Sequence, residues 1–171
     1  MNDILVKKAI EDDEEVLFEL ILGIKDKLYR IAYSYLKNED DALEAIQETS
    51  YRAYLNIRKL KNPDFFKTWI TRILINYCCD EVKRKKKFNN CNCFVKDIGY
   101  AEDNTNLLAL KNYINSLDKK YKDIIILKYF EDYTTKEISY IKQIPEGTVK
   151  TRLRRGLNIL EKKLIGGGFN E

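Results

Sequence analysis

Near the C-terminus, Lys150, Thr151, Arg152, Arg154 and Arg155 interleave with Val149, Leu153, Leu157 and Leu160. The four apolar residues recur at spacings of four, four and three, which predicts one buried helix face with the cations on the rest of the helix. A short helix of this kind has the shape and charge to enter the major groove of a DNA duplex. Thr148, near its start, can bond a phosphate with help from the N-terminal N–H groups. This is the chemistry of recognising a polyanion, not of making or breaking covalent bonds. The chain has no histidine, which removes the usual general base and the usual nucleophile triads, and no Asp/Glu pair stands out from ordinary helix surface. Enzyme chemistry is not supported, and no cofactor or small-molecule substrate is implied. The four cysteines, at 78, 79, 91 and 93, do not form two C-x₂₋₄-C pairs, so no metal site is expected and no role is assigned to them.

The elements that must hold this basic helix are legible just upstream. Thr134 followed three residues later by Glu137 is a capping box, and the helix it opens buries Ile138 and Ile141. Ile144 closes a tight turn and Pro145 opens the next helix, where its missing N–H is no loss. Residues 133–155 therefore read as a helix-turn-helix. Gln143 occupies the turn position where glycine is common, which strains the turn if φ is positive there. Helices with Leu107, Leu110, Tyr113, Ile114 and Leu117, and then with Ile124, Leu127, Lys128 and Phe130, precede it.

The first part of the chain reads as helices as well. Residues 3–10 form a short one, with Ile4, Leu5, Ala9 and Ile10 as its apolar positions, and Asp12 or Asp13 caps the next. From 14 to 37 Leu17, Ile21, Ile24, Leu28, Ile31 and Tyr35 predict one continuous helix. Asn38 starts a third, with Ala42, Ile46, Thr49, Ala53, Ile57 and Leu60 inward, and Asn62-Pro63-Asp64 ends it. A fourth has Phe66, Trp69, Ile70, Ile73, Leu74 and Tyr77 on its core face and ends in the run Lys83-Arg84-Lys85-Lys86-Lys87. That run both suits the helix macrodipole and can clamp phosphate. Residues 88–105 lose periodicity, and the tail from Gly166 is expected to fray.

The expected fold is all-α: two small helical domains, 1–87 and 106–171, joined by a flexible linker at 88–105. Charge follows this division. Residues 1–57 hold 7 Lys+Arg against 13 Asp+Glu, net −6; residues 58–87 hold 10 against 3, net +7; residues 107–171 hold 13 against 8, net +5. Two basic blocks suggest two docking places for a polyanion, and the acidic start suggests a protein partner. No apolar run approaches membrane-spanning length and no secretory signal is present, so a cytoplasmic location is expected.

Three stretches carry a family resemblance. Asp41-Ala-Leu-Glu-Ala-Ile-Gln-Glu48, the segment Phe66 to Asn76 with its basic run, and Leu117 to Leu153 with the helix-turn-helix resemble, in order, the polymerase-binding, −10-reading and −35-reading parts of extracytoplasmic-function (ECF) sigma factors of bacterial RNA polymerase. The resemblance implies that Asp41, Glu44, Gln47 and Glu48 face the clamp helices of core polymerase. It implies that Arg72 and Asn76 meet the non-template −10 strand, with Lys59, Lys61 and Asn62 in the adjoining loop. It implies that Thr148, Lys150, Thr151, Arg154 and Arg155 contact −35 DNA, and that Ile125, Leu127 and Tyr129 are candidates for the polymerase flap. Leu43 stands where the family usually has an acid. The implied partners are core polymerase, promoter DNA and an anti-sigma factor, often membrane-bound in the family, with a monomer when free and a role in a stress or envelope response. Two other readings use the same features: a stand-alone helix-turn-helix regulator, and a polymerase-binding anti-activator.

Overall fold

The computed structural model describes residues 3–11, 13–88 and 112–167, and the chain divides into two compact units, Met1–Ile98 and Gly99–Glu171. The described residues contain helices and turns and no strand, so the fold is all-α as expected. The expected linker, with Cys91 and Cys93, lies outside the described residues except at Phe88, which ends the preceding helix; Leu107 and Leu110 also lie outside them.

In the first unit α1 (Asp3–Ile10) packs on α2 (Glu14–Leu22), while α3 (Lys25–Leu36), α4 (Glu39–Asn56) and α5 (Phe66–Phe88) pack on one another. On α1 the buried residues are Val6 and Ala9, while Ile4 points outward. Asp13 caps α2 by accepting from Val16 N–H at 3.1 Å, and Asn38 caps α4 by accepting from Asp41 N–H at 2.9 Å. The single helix expected over 14–37 is broken at Gly23-Ile24. Gly23 is a weak helix former, and the next N–H, that of Ile24, turns back to the Ile21 carbonyl at 3.1 Å. The break is so short that the apolar stripe stays in phase, with Leu17, Ile21, Leu28 and Ile31 all buried. All six residues expected inward on α4 and the turn after it are buried. They include Thr49, whose hydroxyl has no hydrogen-bond partner among the described residues.

Helix α5 sits slightly rotated from expectation. Its fully buried line is Phe66, Ile70, Leu74 and Cys78, and Trp69, Ile73 and Tyr77 are half-buried at its flank. Trp69 packs beside Phe66, ring centroids 6.1 Å apart, so its packing role holds at the core's edge.

In the second unit α6 (Lys119–Ile125) continues into a π-helical turn, Ile126–Phe130, followed by α7 (Thr135–Lys142) and α8 (Glu146–Gly167). The wider π winding is marked by Glu131 N–H donating to the Ile126 carbonyl at 3.2 Å. Phe130, at its end, is 49% exposed. The capping box is present: Thr134 N–H donates to Glu137 at 2.8 Å, and Glu137 N–H donates to Thr134 Oγ1 at 3.2 Å.

The buried face of α8 also differs from expectation. Leu157 is 37% exposed and Gly156 is buried in its place. A Cβ on Gly156 would lie 2.8 Å from Ile125 Cδ1 and 3.2 Å from Tyr121 Cβ, so a glycine is what lets α8 close on α6. Helix α8 runs through Gly166 and Gly167, so the expected fraying does not begin there; Gly168 onward lies outside the described residues.

Candidate nucleic-acid interface

Helix α8 separates its two faces cleanly. Val149, Gly156 and Leu160 are buried, whereas Lys150 and Thr151 and, one turn on, Arg154 and Arg155 are exposed on the opposite side. Two of them are already engaged. Thr151 Oγ1 donates to the Gly147 carbonyl at 2.9 Å, and Lys150 Nζ lies 2.9 Å from Glu146. Thr148 is half-buried and stands off the main line of contacts, on the side of Arg155. The turn that sets this helix against α7 is held by Ser139 Oγ donating to the Ile144 carbonyl at 2.6 Å. Lys142 on α7 pairs with Asp123 on α6 at 2.6 Å, both side chains largely buried.

On α5, Arg72 is half-buried and Asn76 exposed, one turn apart. Lys83 and Lys87 fall on the same side of the helix. The loop residues Lys59, Lys61 and Asn62 are exposed, but they precede α5, and Asn76 lies ten residues into it, about 15 Å along the axis. Asn62 Oδ1 is occupied as a cap on Asp64 N–H at 3.0 Å, and Lys59 Nζ donates to Asn56 at 2.7 Å. The basic run is largely matched by acids. Lys83 meets Asp80 at 3.1 Å, Arg84 grips Glu81 through two bonds of 2.9 and 2.7 Å, and Lys85 pairs with Asp41. Arg84, by hydrogen bonding, holds the Glu81 carboxyl below the usual range.

The acids of α4 do not form one free stripe. Asp41 turns to Lys85, Glu44 accepts from Tyr77 Oη at 3.3 Å, and Glu48 pairs with Arg52 at 2.7 Å, whose guanidinium lies 5.3 Å from the Tyr77 ring centre. Burial, then the charges of Glu44 and Glu81, pushes the Tyr77 hydroxyl up to about 12, so it remains a donor. Gln47 lies apart from these three and lines a groove of about 560 Å³ between α2 and α4, with Phe18, Leu22, Tyr51 and Tyr54. Phe18, Leu22, Tyr51, Tyr54 and Leu55 are each more than 40% exposed. Sequence reasoning passed over this apolar surface. Its signal was present: Phe18 and Leu22 are a second apolar pair at helical spacing, one residue off the buried pair Leu17 and Ile21. Of the residues considered for the flap, Ile125 and Leu127 are buried in the core, which leaves Tyr129, 53% exposed.

Comparison with known proteins shows the family of the chain. The family described as Sigma-70 region 2 matches residues 20–88, and Sigma-70, region 4 matches residues 107–160. RNA polymerase sigma factor SigV of Bacillus subtilis is 33% identical, over 92% of this chain and 96% of the relative. The ECF RNA polymerase sigma factor SigW of the same organism is 32% identical, over 95% and 98%. Among solved structures, CnrH in complex with the cytosolic domain of CnrY shares the fold with a TM-score of 0.73 at 19% identity, covering 98% of this chain and 99% of that one. The sigma factor RpoE of Bartonella quintana, in complex with the anti-sigma factor NepR, also gives 0.73, at 20% identity over 88% and 97%. Matches to both regions and over nearly the full length of these relatives set aside the stand-alone regulator: the chain belongs to the ECF class of sigma-70 family RNA polymerase sigma factors.

Proposed function

We propose that this sigma factor divides promoter recognition between its two units. Helix α8 reads the −35 duplex with Lys150, Thr151, Arg154 and Arg155, flanked by Thr148. Helix α5 captures the melted −10 strand with Arg72 and Asn76, and Lys59, Lys61 and Asn62 guide the backbone nearby. The outer face of α4, with Asp41, Glu44, Gln47, Glu48 and the apolar groove beside it, docks on core polymerase. The observation that carries this reading is the exposed cationic face of α8, set directly opposite a buried one. An asparagine suits −10 capture because its amide both donates to and accepts from a base edge. The chain works in the cytoplasm and contributes no covalent chemistry. An anti-sigma factor restrains it, as the two complexes of similar fold suggest. Two weak DNA contacts become selective when polymerase fixes their spacing.

The test is transcription by core polymerase plus this protein from a random promoter library, with the transcripts sequenced. Two separated preferred blocks upstream of the start sites are expected. Start sites with no upstream preference, or equally selective DNA binding by the free chain, count against the reading.

A further inference from the structure

From Glu146 to Gly156 the only acid is Glu146 itself, in a stretch with four cations. It opens α8, and its Oε1 accepts from Thr135 Oγ1 at 2.9 Å and meets Lys150 Nζ at 2.9 Å. Thr135 is the first residue of α7, so this carboxylate joins the opening turns of both helices of the helix-turn-helix. In such a motif the second helix presents its N-terminal residues to base edges while the first crosses the backbone. Lys150, and after it Thr135, draw the Glu146 carboxyl below the usual range, so it is fully charged at neutral pH. A full negative charge at a surface meant for a polyanion weakens binding to DNA in general. It is useful there if it discriminates.

We propose that Glu146 is a specificity-determining residue of the −35-reading helix: it holds Lys150 in one direction and offers a carboxylate to the major-groove edge. The inference rests on the reading in which α8 enters that groove. Thr135 Oγ1 and Lys150 Nζ both approach Oε1, and a carboxylate has further lone pairs with which to accept. A carboxylate only accepts. It favours base pairs that present an exocyclic amino group, cytosine N4 or adenine N6, at that point, and it repels edges that present acceptors alone. Lys150, tied to Glu146, is less available to arbitrary phosphates.

The test uses holoenzyme and a promoter pool randomised across the −35 element with the −10 element fixed. Glu146→Gln keeps an oxygen for Thr135 and removes the charge. Preference at one or two adjacent −35 positions should flatten by about fivefold or more, with the other positions unchanged. Binding to non-cognate duplex should strengthen, and its logarithmic salt slope should steepen by up to about 0.9 as Lys150 takes a phosphate. Unchanged preferences at every position overturn the proposal. So does a uniform loss at all positions that tracks a lowered thermal midpoint, because that is the behaviour of a structural brace. Arg154→Ala is run in the same pool. If it alters −35 preference while Glu146→Gln does not, the role of α8 stands and the role of Glu146 falls; if it alters nothing, the reading of α8 fails and takes Glu146 with it.

Discussion

Helix α5 of the first unit and helix α8 of the second both carry dense positive charge, yet they dispose of it differently. On α5, Lys83, Arg84 and Lys85 each meet an acid, and one of these acids, Asp41, belongs to the neighbouring helix α4. On α8, Lys150 is matched with Glu146, while Arg154 and Arg155 stand exposed. A count of cations therefore overstates what α5 can offer a phosphate and nearly measures what α8 can offer. If α4 docks on polymerase as proposed, its acids must first leave partners within the chain: Lys85 for Asp41, the Tyr77 hydroxyl for Glu44 and Arg52 for Glu48. Both helices are held by buried apolar residues, Phe66, Ile70 and Leu74 on α5 and Ile124, Leu127, Ile138 and Val149 in the second unit, which adds a close glycine contact and one largely buried ion pair.

The ion pair gives the largest expected effect. Asp123→Ala leaves the Lys142 ammonium, whose side chain is 17% exposed, without its carboxylate. Breaking a buried pair from one side costs about 3 kcal/mol. The corresponding change in the first unit, Asp41→Ala, breaks a pair whose lysine is 42% exposed and should cost about 1 kcal/mol or less. Urea unfolding of the two variants measures both; equal losses would erase the contrast. Gly156→Leu comes next. It forces side-chain atoms into the contact with Ile125 and Tyr121, at a cost of about 1–3 kcal/mol in the second unit, readable as a lowered thermal midpoint. An unchanged midpoint would mean that α8 can move off α6 freely.

These features also mark how far the sequence could be read. Caps and turns were legible because they are local: Asn38, Thr134 with Glu137, and Asn62 act within three residues of themselves. The inward positions of α4 were legible because its helix is uninterrupted. The buried face of α8 was misread because an ideal helical period makes no allowance for a glycine used for close approach, and the π turn at the end of α6 was not anticipated because it has no period of its own to read. The break at Gly23 was hidden because it preserved the phase of the apolar stripe. At the interface, outward placement of Arg154 and Arg155 followed from periodicity, whereas Asn76 was singled out by the family resemblance. The partners of Asp41 and Glu44 did not, since Lys85 and Tyr77 lie 44 and 33 residues away in sequence.

Lys85→Met sharpens the comparison on the functional side. Stability should change by less than about 1 kcal/mol, because the pair is partly exposed. If Asp41 docks on polymerase, releasing it from Lys85 should raise affinity for core by about fivefold, the equivalent of ~1 kcal/mol. Titration of labelled core polymerase reads this directly. A fall in affinity would show that Lys85 holds Asp41 in its docking position and does not compete for it.

The smallest expected effect lies in the backbone, and it too can be compared between units. Gln143 ends α7 with φ 53° and ψ 45°, and Lys37 ends α3 with φ 56° and ψ 25°. Both sit in the left-handed region, where an L side chain costs about 1–2 kcal/mol. Glycine removes that strain but gives the unfolded chain more freedom, worth about 0.4–1 kcal/mol in the opposite sense. Gln143→Gly should therefore stabilise the second unit by about 0.5 kcal/mol. Lys37→Gly also loses an ammonium 5.9 Å from the centre of the Tyr33 ring, a contact worth about 0.5 kcal/mol at an exposed site, so its net effect should be near zero. Paired urea midpoints decide the matter. Equal gains would mean that the Lys37 contact contributes nothing, and a loss at Gln143 would mean that its side chain stabilises the turn by more than the strain it imposes.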